Sequence, residues 1–124
     1  MSSADRFPVI KTYFQIQVRD LERAKSWYEN IFQLDTLLFS SEVGWGEMQL
    51  HGDAPKLGLN LSNNPMKTNW GKLMFEVENI IIAKEYMEKK EIKTTEINTI
   101  PNLVSYFEIQ DSEGNTIQIV AEPK

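Results

Sequence analysis

The chain has 124 residues, of which 41% are hydrophobic and 25% are charged, and its formal net charge at pH 7 is -5. This length is sufficient for one domain with its own core, and the composition is typical of soluble globular proteins. The acidic charge argues against nucleic acid or an anionic membrane as a partner, since both would repel it. Cysteine is absent, which excludes disulfides, thiolate catalysis and thiolate metal sites. Because no apolar run has the length of a signal core or a spanning helix, we expect a cytoplasmic protein.

The first predicted element is a half-buried strand over residues 11–19, where polar and apolar side chains alternate. Tyr13, Gln15 and Gln17 fall on its polar side. Asp20 follows and predicts a helix N-cap, because its carboxylate can accept hydrogen bonds from free backbone amides. The helix is expected to end near Gln33. It carries one apolar stripe at three- and four-residue steps, made of Leu21, Ala24, Trp27, Tyr28 and Ile31.

Short strands and turns follow this helix. Gly44 and the run His51-Gly52-Asp53 mark turns between three predicted strands, which cover residues 36–41, 45–50 and 57–62. The most loop-like segment of the chain comes next, over residues 63–70. Beyond it the pattern predicts a strand, a helix and three more strands, over residues 71–77, 79–90, 93–98, 103–110 and 116–121. Gly114 is expected to take a positive φ in a tight turn before the last strand.

The second half of the chain repeats the first. Seven positions match in register, and they include Val18 with Val77, Asp20 with Asn79, Ala24 with Ala83, Lys25 with Lys84, and Glu29 with Glu88. Each half therefore predicts one module of a strand, a helix and three strands. The modules cover residues 11–62 and 71–122, joined by a linker over 63–70 within a single domain of residues 1–124. We expect the function to lie where the two modules meet.

The order, spacing and duplication of these elements resemble the vicinal oxygen chelate superfamily, which includes glyoxalases, bleomycin resistance proteins and extradiol dioxygenases. The resemblance rests on V-x-D-L-E-R-A-x-x-W-Y over residues 18–28 and on D-S-E-G-N-T-I-Q-I over residues 111–119. It extends over residues 11–122. It implies an α+β fold of two tandem βαβββ modules that form a curved mixed sheet around a ligand cavity, usually in a homodimer.

Enzymes of this superfamily hold a metal ion on four strand positions, which are usually His, Glu and sometimes Gln. The resemblance carries these positions onto Tyr13, Asn60, Lys72 and Gln118. An ammonium group offers no lone pair to a cation, and phenol and amide groups are weak ligands here. We therefore interpret the metal site as lost and expect neither a metal nor another cofactor. A carboxylate site displaced to Glu47, Glu76 or Glu108 stays open as an alternative.

Strand alternation places further polar residues on the same side as those four positions. Such a face can hydrogen-bond a polar or cationic ligand, and the alternatives are a solvated sheet surface or a wet dimer interface. The candidate ligand-binding residues are Tyr13, Gln15, Trp45, Glu47, Asn60, Lys72, Tyr106, Glu108 and Gln118. Trp45 and Trp70 stand where family members often present aromatic rings to a flat ligand, although the sequence favours core or rim packing for each. His51, the only histidine, is interpreted as an exposed turn residue.

The sequence thus favours a metal-free protein that binds a small organic molecule and sequesters an antibiotic or a metabolite. No catalytic residue is assigned. The first alternative is a metal-dependent lyase or isomerase of the glyoxalase kind, which metal analysis would distinguish. The second is a structural or regulatory dimer without a ligand, whose own side chains fill the polar face. Neither the ligand nor the placement of the cavity within one chain or between two follows from the sequence.

Overall fold

A computed structural model describes residues 11–52, 55–64 and 72–122 of the chain. The first half forms a four-stranded mixed sheet, which we call the first sheet, with one helix. Its elements are β1 (Tyr13–Val18), α1 (Leu21–Phe32), β2 (Asp35–Ser40), β3 (Trp45–Gln49) and β4 (Lys56–Leu61). The strand order is β1-β4-β3-β2, in which β1 runs parallel to β4 and the other neighbours are antiparallel.

The second half repeats this arrangement and forms the second sheet. Its elements are β5 (Leu73–Glu76), α2 (Ile80–Lys89), β6 (Asn98–Ile100), β7 (Val104–Gln110) and β8 (Thr116–Ala121). The strand order is β5-β8-β7-β6, with β5 parallel to β8 and the other neighbours antiparallel. The fold is therefore α+β with two βαβββ modules, as the repeat in the sequence predicts.

One predicted strand is misplaced, because β6 covers only Asn98–Ile100 instead of residues 93–98. The residues before β6 are held mainly by a side chain of α2. The Lys84 ammonium donates to the Thr94 hydroxyl and, at 3.1 Å, to the Thr95 carbonyl. The Thr95 amide in turn donates to the carbonyl of Glu108 at 3.0 Å. This segment therefore follows the edge of β7 through separate contacts and forms no continuous ladder.

Both helices begin at the caps that the sequence predicts. Asp20 accepts a hydrogen bond from the amide of Arg23 at 3.0 Å, and Asn79 accepts from two amides of the first turn of α2. These bonds satisfy backbone amides that lack a partner within the helix. Gln33 follows α1 with a φ of 52°, and Glu91 lies just beyond α2 with a φ of 61°. Both residues carry a Cβ atom in the left-handed region that favours glycine.

The buried side chains of the two modules form one continuous core. Helix α1 packs on the first sheet and α2 on the second. The largest fully buried side chains are Tyr28, Phe107, Met48, Leu57, Leu59, Ile109, Ile117, Ile119 and Val18. The predicted stripe of α1 is buried except at Trp27, which is half-buried at the edge of this core. Within the described ranges, no helix combines the length and the apolar character needed to cross a membrane.

A buried polar contact joins α1 to the turn between β7 and β8. The Tyr28 hydroxyl donates to Asp111 Oδ2 at 2.7 Å, and both residues are buried. Asp111 Oδ1 accepts hydrogen bonds from the amides of Glu113 and Asn115, each at 2.8 Å. Gly114 completes the turn with a φ of 86°. The predicted tight turn is therefore present, and its first residue is bound to the helix of the other module.

Glu113 places a carboxylate at the N-terminus of α1. Its side chain is only 2% exposed and accepts from the Arg23 guanidinium at 2.8 Å. The same carboxylate accepts from the amides of Arg19 at 2.8 Å and Asp20 at 3.3 Å. Burial alone would raise the pKa of Glu113, but these hydrogen bonds outweigh it and lower the pKa to about 2. The second module thus supplies an anion where the helix dipole favours one.

Candidate functional site

The predicted ligand-binding residues lie on the faces of the two sheets that point away from the helices. In β3, Met48 is buried whereas its neighbour Glu47 is half-buried, and Phe107 and Glu108 differ in the same way in β7. We call these surfaces the first and second open faces. The first carries Tyr13, Gln15, Gln17, Trp45, Glu47, Gln49, Lys56, Gly58 and Asn60, and the second carries Lys72, Met74, Glu76, Tyr106, Glu108 and Gln118.

On the first open face, Glu47 binds two aromatic side chains. Trp45 Nε1 donates to Glu47 Oε2 at 2.9 Å, and the Tyr13 hydroxyl donates to Glu47 Oε1 at 3.4 Å. The six-membered ring of Trp45 covers Gly58 on the next strand. A Cβ atom at position 58 would lie 2.4 Å from Cη2 of this ring, which is closer than carbon atoms approach each other. Only glycine at position 58 is therefore compatible with this position of the indole.

On the second open face, Lys72 forms an ion pair with Glu108. Glu108 pairs with Gln118 in the register of β7 and β8, so the three candidate residues are neighbours. The backbone amide of Glu108 donates to the Thr95 hydroxyl at 2.8 Å, which fixes the strand at this point. Tyr106 lies one row further along the same strand. This group therefore contains both charges of an ion pair, unlike the group around Glu47.

The candidate residues thus form two groups on different sheets. The first group contains Tyr13, Gln15, Trp45, Glu47 and Asn60, and the second contains Lys72, Tyr106, Glu108 and Gln118. Hydrogen bonds join Tyr13 and Trp45 to Glu47 in the first group, and an ion pair joins Lys72 to Glu108 in the second. Each of these contacts lies within a single sheet. The first module therefore contributes five of the nine predicted residues and the second module contributes four.

The strand registers identify Gly58 as the counterpart of Gln118. Gln15 pairs with Gly58 in the first sheet, and Met74, its match in the sequence repeat, pairs with Gln118 in the second. Asn60, the residue of β4 among the four positions that the resemblance implies, lies two positions further along this strand. Gly58 is absent from the predicted set. An isolated glycine within a strand pattern is nevertheless a signal for close approach of another group.

The side chains at the four positions implied by the resemblance do not fit a divalent metal ion. Lys72 is a cation already paired with Glu108, and Tyr13, Asn60 and Gln118 contribute no carboxylate or imidazole. Replacing Asn60 by Gly58 in the set leaves no side-chain ligand at that position. Within residues 11–52, 55–64 and 72–122, no cluster of three or more His, Cys, Asp or Glu side chains could hold a metal.

Two of the cavities that adjoin the second module have lining residues from both modules. One of about 640 Å³ lies between the end of α1, β5 and α2, and apolar side chains such as Phe32, Phe75 and Ile82 contribute to its lining. The other, of about 580 Å³, lies beside β7 and includes Trp27 and Glu108. Both have the size of small-molecule sites. Among the described residues that line them, neither cavity joins the Glu47 group to the Lys72 group.

The remaining residues that the sequence singled out have structural surroundings. His51 is exposed in a turn, as predicted, with its Nε2 atom 3.1 Å from the carbonyl oxygen of Phe32. Its ring also meets Phe75 edge-on at 5.6 Å between centroids. Trp27 packs against the ring of Tyr28 at 4.9 Å. Trp70 lies outside the described residues.

Comparison with known proteins identifies a family and a shared fold. A family model described as the Glyoxalase/Bleomycin resistance protein/Dioxygenase superfamily matches residues 11–119. A solved lactoylglutathione lyase from Agrobacterium tumefaciens is 20% identical to this chain, with a TM-score of 0.74 over 94% of this chain and 96% of that one. No match was found among curated protein sequences.

Two other solved structures have the same fold at lower identity. An antibiotic binding protein from a Streptomyces species is 16% identical, with a TM-score of 0.73 over 94% of this chain and 98% of that one. A fosfomycin resistance protein from Listeria monocytogenes is 10% identical, with a TM-score of 0.76 over 94% and 96%. The repeated βαβββ modules, the two sequence motifs and the family match over residues 11–119 together show that the chain belongs to the glyoxalase/bleomycin resistance protein/dioxygenase superfamily, that is, the vicinal oxygen chelate superfamily.

Proposed function

We propose that this chain is a metal-free small-molecule-binding protein that sequesters an antibiotic or a metabolite on the open faces of its sheets. One observation carries the proposal, namely the ion pair between Lys72 and Glu108. Lys72 stands at a position that the resemblance implies for a metal ligand. An ammonium group about 4 Å from a divalent cation would oppose it by several kcal/mol at an effective dielectric constant of about 20. Glu108 offsets part of this repulsion but supplies only one carboxylate.

The chemistry of the open faces supports a binding role. They combine aromatic rings with a few carboxylate, amide and ammonium groups, which is the mixture that orients small molecules in binding sites. Two proteins with the same fold are described as an antibiotic binding protein and a fosfomycin resistance protein. The residues that we propose to bind the ligand are Tyr13, Gln15, Trp45, Glu47, Asn60, Lys72, Tyr106, Glu108 and Gln118.

We also propose that the protein acts as a homodimer. Large apolar side chains are exposed in the first module at Leu37, Leu38 and Val43, the last of which is 78% exposed. Ile100 and Leu103 are exposed in the second module, at the hairpin between β6 and β7. Burial of such side chains against a second copy would remove apolar surface from water. A dimer also allows the two groups of ligand-binding residues to face each other from different copies.

Metal analysis and native mass spectrometry of the purified protein test this function. We expect well under one equivalent of Ni, Zn, Fe, Mn or Co, no thermal stabilisation by these ions, and no consumption of the hemithioacetal of methylglyoxal. A co-purified small organic molecule in the dimer would support sequestration. Stoichiometric metal held through Glu47, Glu76 or Glu108 would instead support a lyase or isomerase of the glyoxalase kind. A dimer with no bound molecule and filled open faces would support a structural role.

A grafted metal site tests the positions themselves. The substitutions Tyr13→His, Lys72→His and Gln118→Glu are combined with a carboxylate on β4 in one of two versions. The first version adds Asn60→Glu, and the second adds Gly58→Glu together with Trp45→Ala to make space. Because Gly58 is the register counterpart of Gln118, we expect the second version to bind Ni²⁺ or Co²⁺ more tightly. Tighter binding by the Asn60 version would contradict the register argument.

A further inference from the structure

We infer that the first open face selects a planar cation, with Trp45 as its stacking platform and Glu47 as its counter-ion. This inference rests on the proposed function, because it assigns a chemical class of ligand to one half of the same site. Three features of the described residues support the inference. These are the contacts that hold Trp45, the groups that surround the Glu47 carboxylate, and the charge on the second open face.

The indole of Trp45 is fixed at both ends. Its Nε1 atom donates to Glu47 two residues along the same strand, at 2.9 Å, and its six-membered ring covers Gly58 on the neighbouring strand. These two contacts lay the ring along the sheet. Trp45 as a residue is only half-buried, so part of its surface is accessible to a ligand. A fixed aromatic surface binds a flat ligand at little cost in side-chain entropy.

The carboxylate of Glu47 has neutral donors around it. Its described hydrogen bonds come from the Trp45 indole and the Tyr13 hydroxyl, and neither donor carries a charge. The nearest cation in the strand register is Lys56, one row away opposite Tyr13 and Gln49. Among the ion pairs of the described residues, however, none includes Glu47. Within the described residues, this carboxylate therefore has no cation bound to it and presents its negative charge beside the aromatic platform.

The carboxylate at the corresponding place on the second open face differs, because Lys72 neutralises Glu108 there. On the first face, a ligand meets the fixed ring of Trp45 directly beside a carboxylate that forms no ion pair with a described residue. A planar cation satisfies both through a cation–π contact and charge attraction. A neutral planar molecule gains only the stacking, and an anion is repelled by Glu47. The first open face therefore discriminates by ligand charge.

Three planar probes of similar size test the inference by titration calorimetry at pH 7.5 with the full chain. They are 1-methylquinolinium, neutral quinoline and anionic 1-naphthoate. We expect 1-methylquinolinium to bind about tenfold more tightly than quinoline, and 1-naphthoate to bind most weakly. High salt should weaken the binding of 1-methylquinolinium and leave the binding of quinoline unchanged, since screening acts on the charge interaction.

Two variants locate the effect and one serves as a control. Glu47→Gln should remove the preference for the cation, so that the affinities for 1-methylquinolinium and quinoline differ by less than about twofold. Trp45→Leu should weaken the binding of both probes. Glu22→Gln, which removes an exposed carboxylate on α1, should change neither affinity. Circular dichroism and melting temperature establish that each variant is folded.

Several results would overturn the inference. They are equal binding of all three probes, a cation preference that persists in Glu47→Gln, and no heat from 1-methylquinolinium up to about 5 mM. None of these results alters the metal content or the co-purified mass that test the proposed function. Stoichiometric metal in the wild-type protein, by contrast, would overturn the proposed function whichever probe binds. The two failures are therefore distinguishable.

Discussion

The Tyr28 hydroxyl donates a 2.7 Å hydrogen bond to the Asp111 carboxylate across 83 positions of the sequence. Burial of Tyr28, together with the charge of Asp111, raises the pKa of this hydroxyl well above its ordinary value of 10.0, so it remains protonated and donates at neutral pH. The two residues belong to the two sequence motifs that suggested the family. Their contact shows that these motifs form one structural unit between the modules.

Tyr28→Phe should lower the free energy of unfolding by about 1.5 to 3 kcal/mol, because it removes a donor from a buried carboxylate. Asp111 keeps the amides of Glu113 and Asn115 as donors, so the variant should still fold. Urea denaturation at pH 7 measures the change. Tyr106→Phe, on the second open face, is the matched control and should change stability by less than about 0.5 kcal/mol. Equal effects of the two variants would show that the buried contact contributes no special stability.

The low pKa of Glu113 predicts a specific loss of stability in acid. Its value of about 2 in the folded protein lies below the ordinary value of 4.5. Because the folded pKa is the lower one, the stabilisation is complete above about pH 5 and is lost as the pH falls towards 2. The difference corresponds to roughly 2 to 3 kcal/mol after allowance for the solvent exposure of Arg23.

Urea midpoints of the wild type and Glu113→Gln at pH 7, 5, 4 and 3 test this loss. We expect Glu113→Gln to be less stable at pH 7 and to approach the wild type as the pH falls. Glu122→Gln removes an exposed carboxylate and should follow the wild-type curve. Parallel curves for Glu113→Gln and the wild type would mean that this carboxylate does not titrate with folding.

Two isoleucines test the assignment of the core. Ile31 is 4% exposed at the end of α1, whereas Ile82 on α2 is 62% exposed. Ile31→Ala should cost about 2 to 5 kcal/mol through lost contacts and a residual cavity. Ile82→Ala should cost less than about 0.5 kcal/mol in the monomeric chain. A larger loss for Ile82→Ala that depends on protein concentration would instead place this residue in a subunit interface.

One residue with a positive φ follows each helix, and its replacement by glycine is expected to stabilise the protein. Glu91→Gly should raise the free energy of unfolding by about 0.5 to 1 kcal/mol relative to Glu91→Ala, since glycine tolerates a positive φ. Gln33→Gly should gain less stability relative to the wild type, because Gln33 Nε2 also donates to the Tyr86 hydroxyl at 2.9 Å in the wild type. Thermal and urea unfolding measure the stability of these variants and of the wild type. If Glu91→Gly is no more stable than Glu91→Ala, relief of backbone strain at this position has no measurable effect.

Most of the fold could be predicted from local patterns. Alternation located strands such as β3, and Asp20 and Asn79 marked the helix starts because short polar side chains there satisfy free amides. The strand before β7 was misplaced because Thr94 and Thr95 are held by Lys84 from another element. Such a contact depends on tertiary packing, which alternation in one segment does not report.

The site was predictable in composition and only partly in arrangement. Strand period correctly put Glu47 and Glu108 on faces away from the helices. It could not show that Trp45 folds down onto Gly58, because that contact depends on the register between two strands. The role of Glu113 was likewise missed, since its partners Arg19 and Asp20 lie 94 and 93 positions away.

The contact between Trp45 and Gly58 also constrains how this surface can change during evolution. A side chain introduced first at position 58 would meet the indole at 2.4 Å, so the indole would have to leave its position over this strand. A smaller residue introduced first at position 45 leaves room for a later change at position 58. A descendant of this chain that gains a carboxylate at position 58 must therefore displace or lose this indole, and with it the aromatic platform.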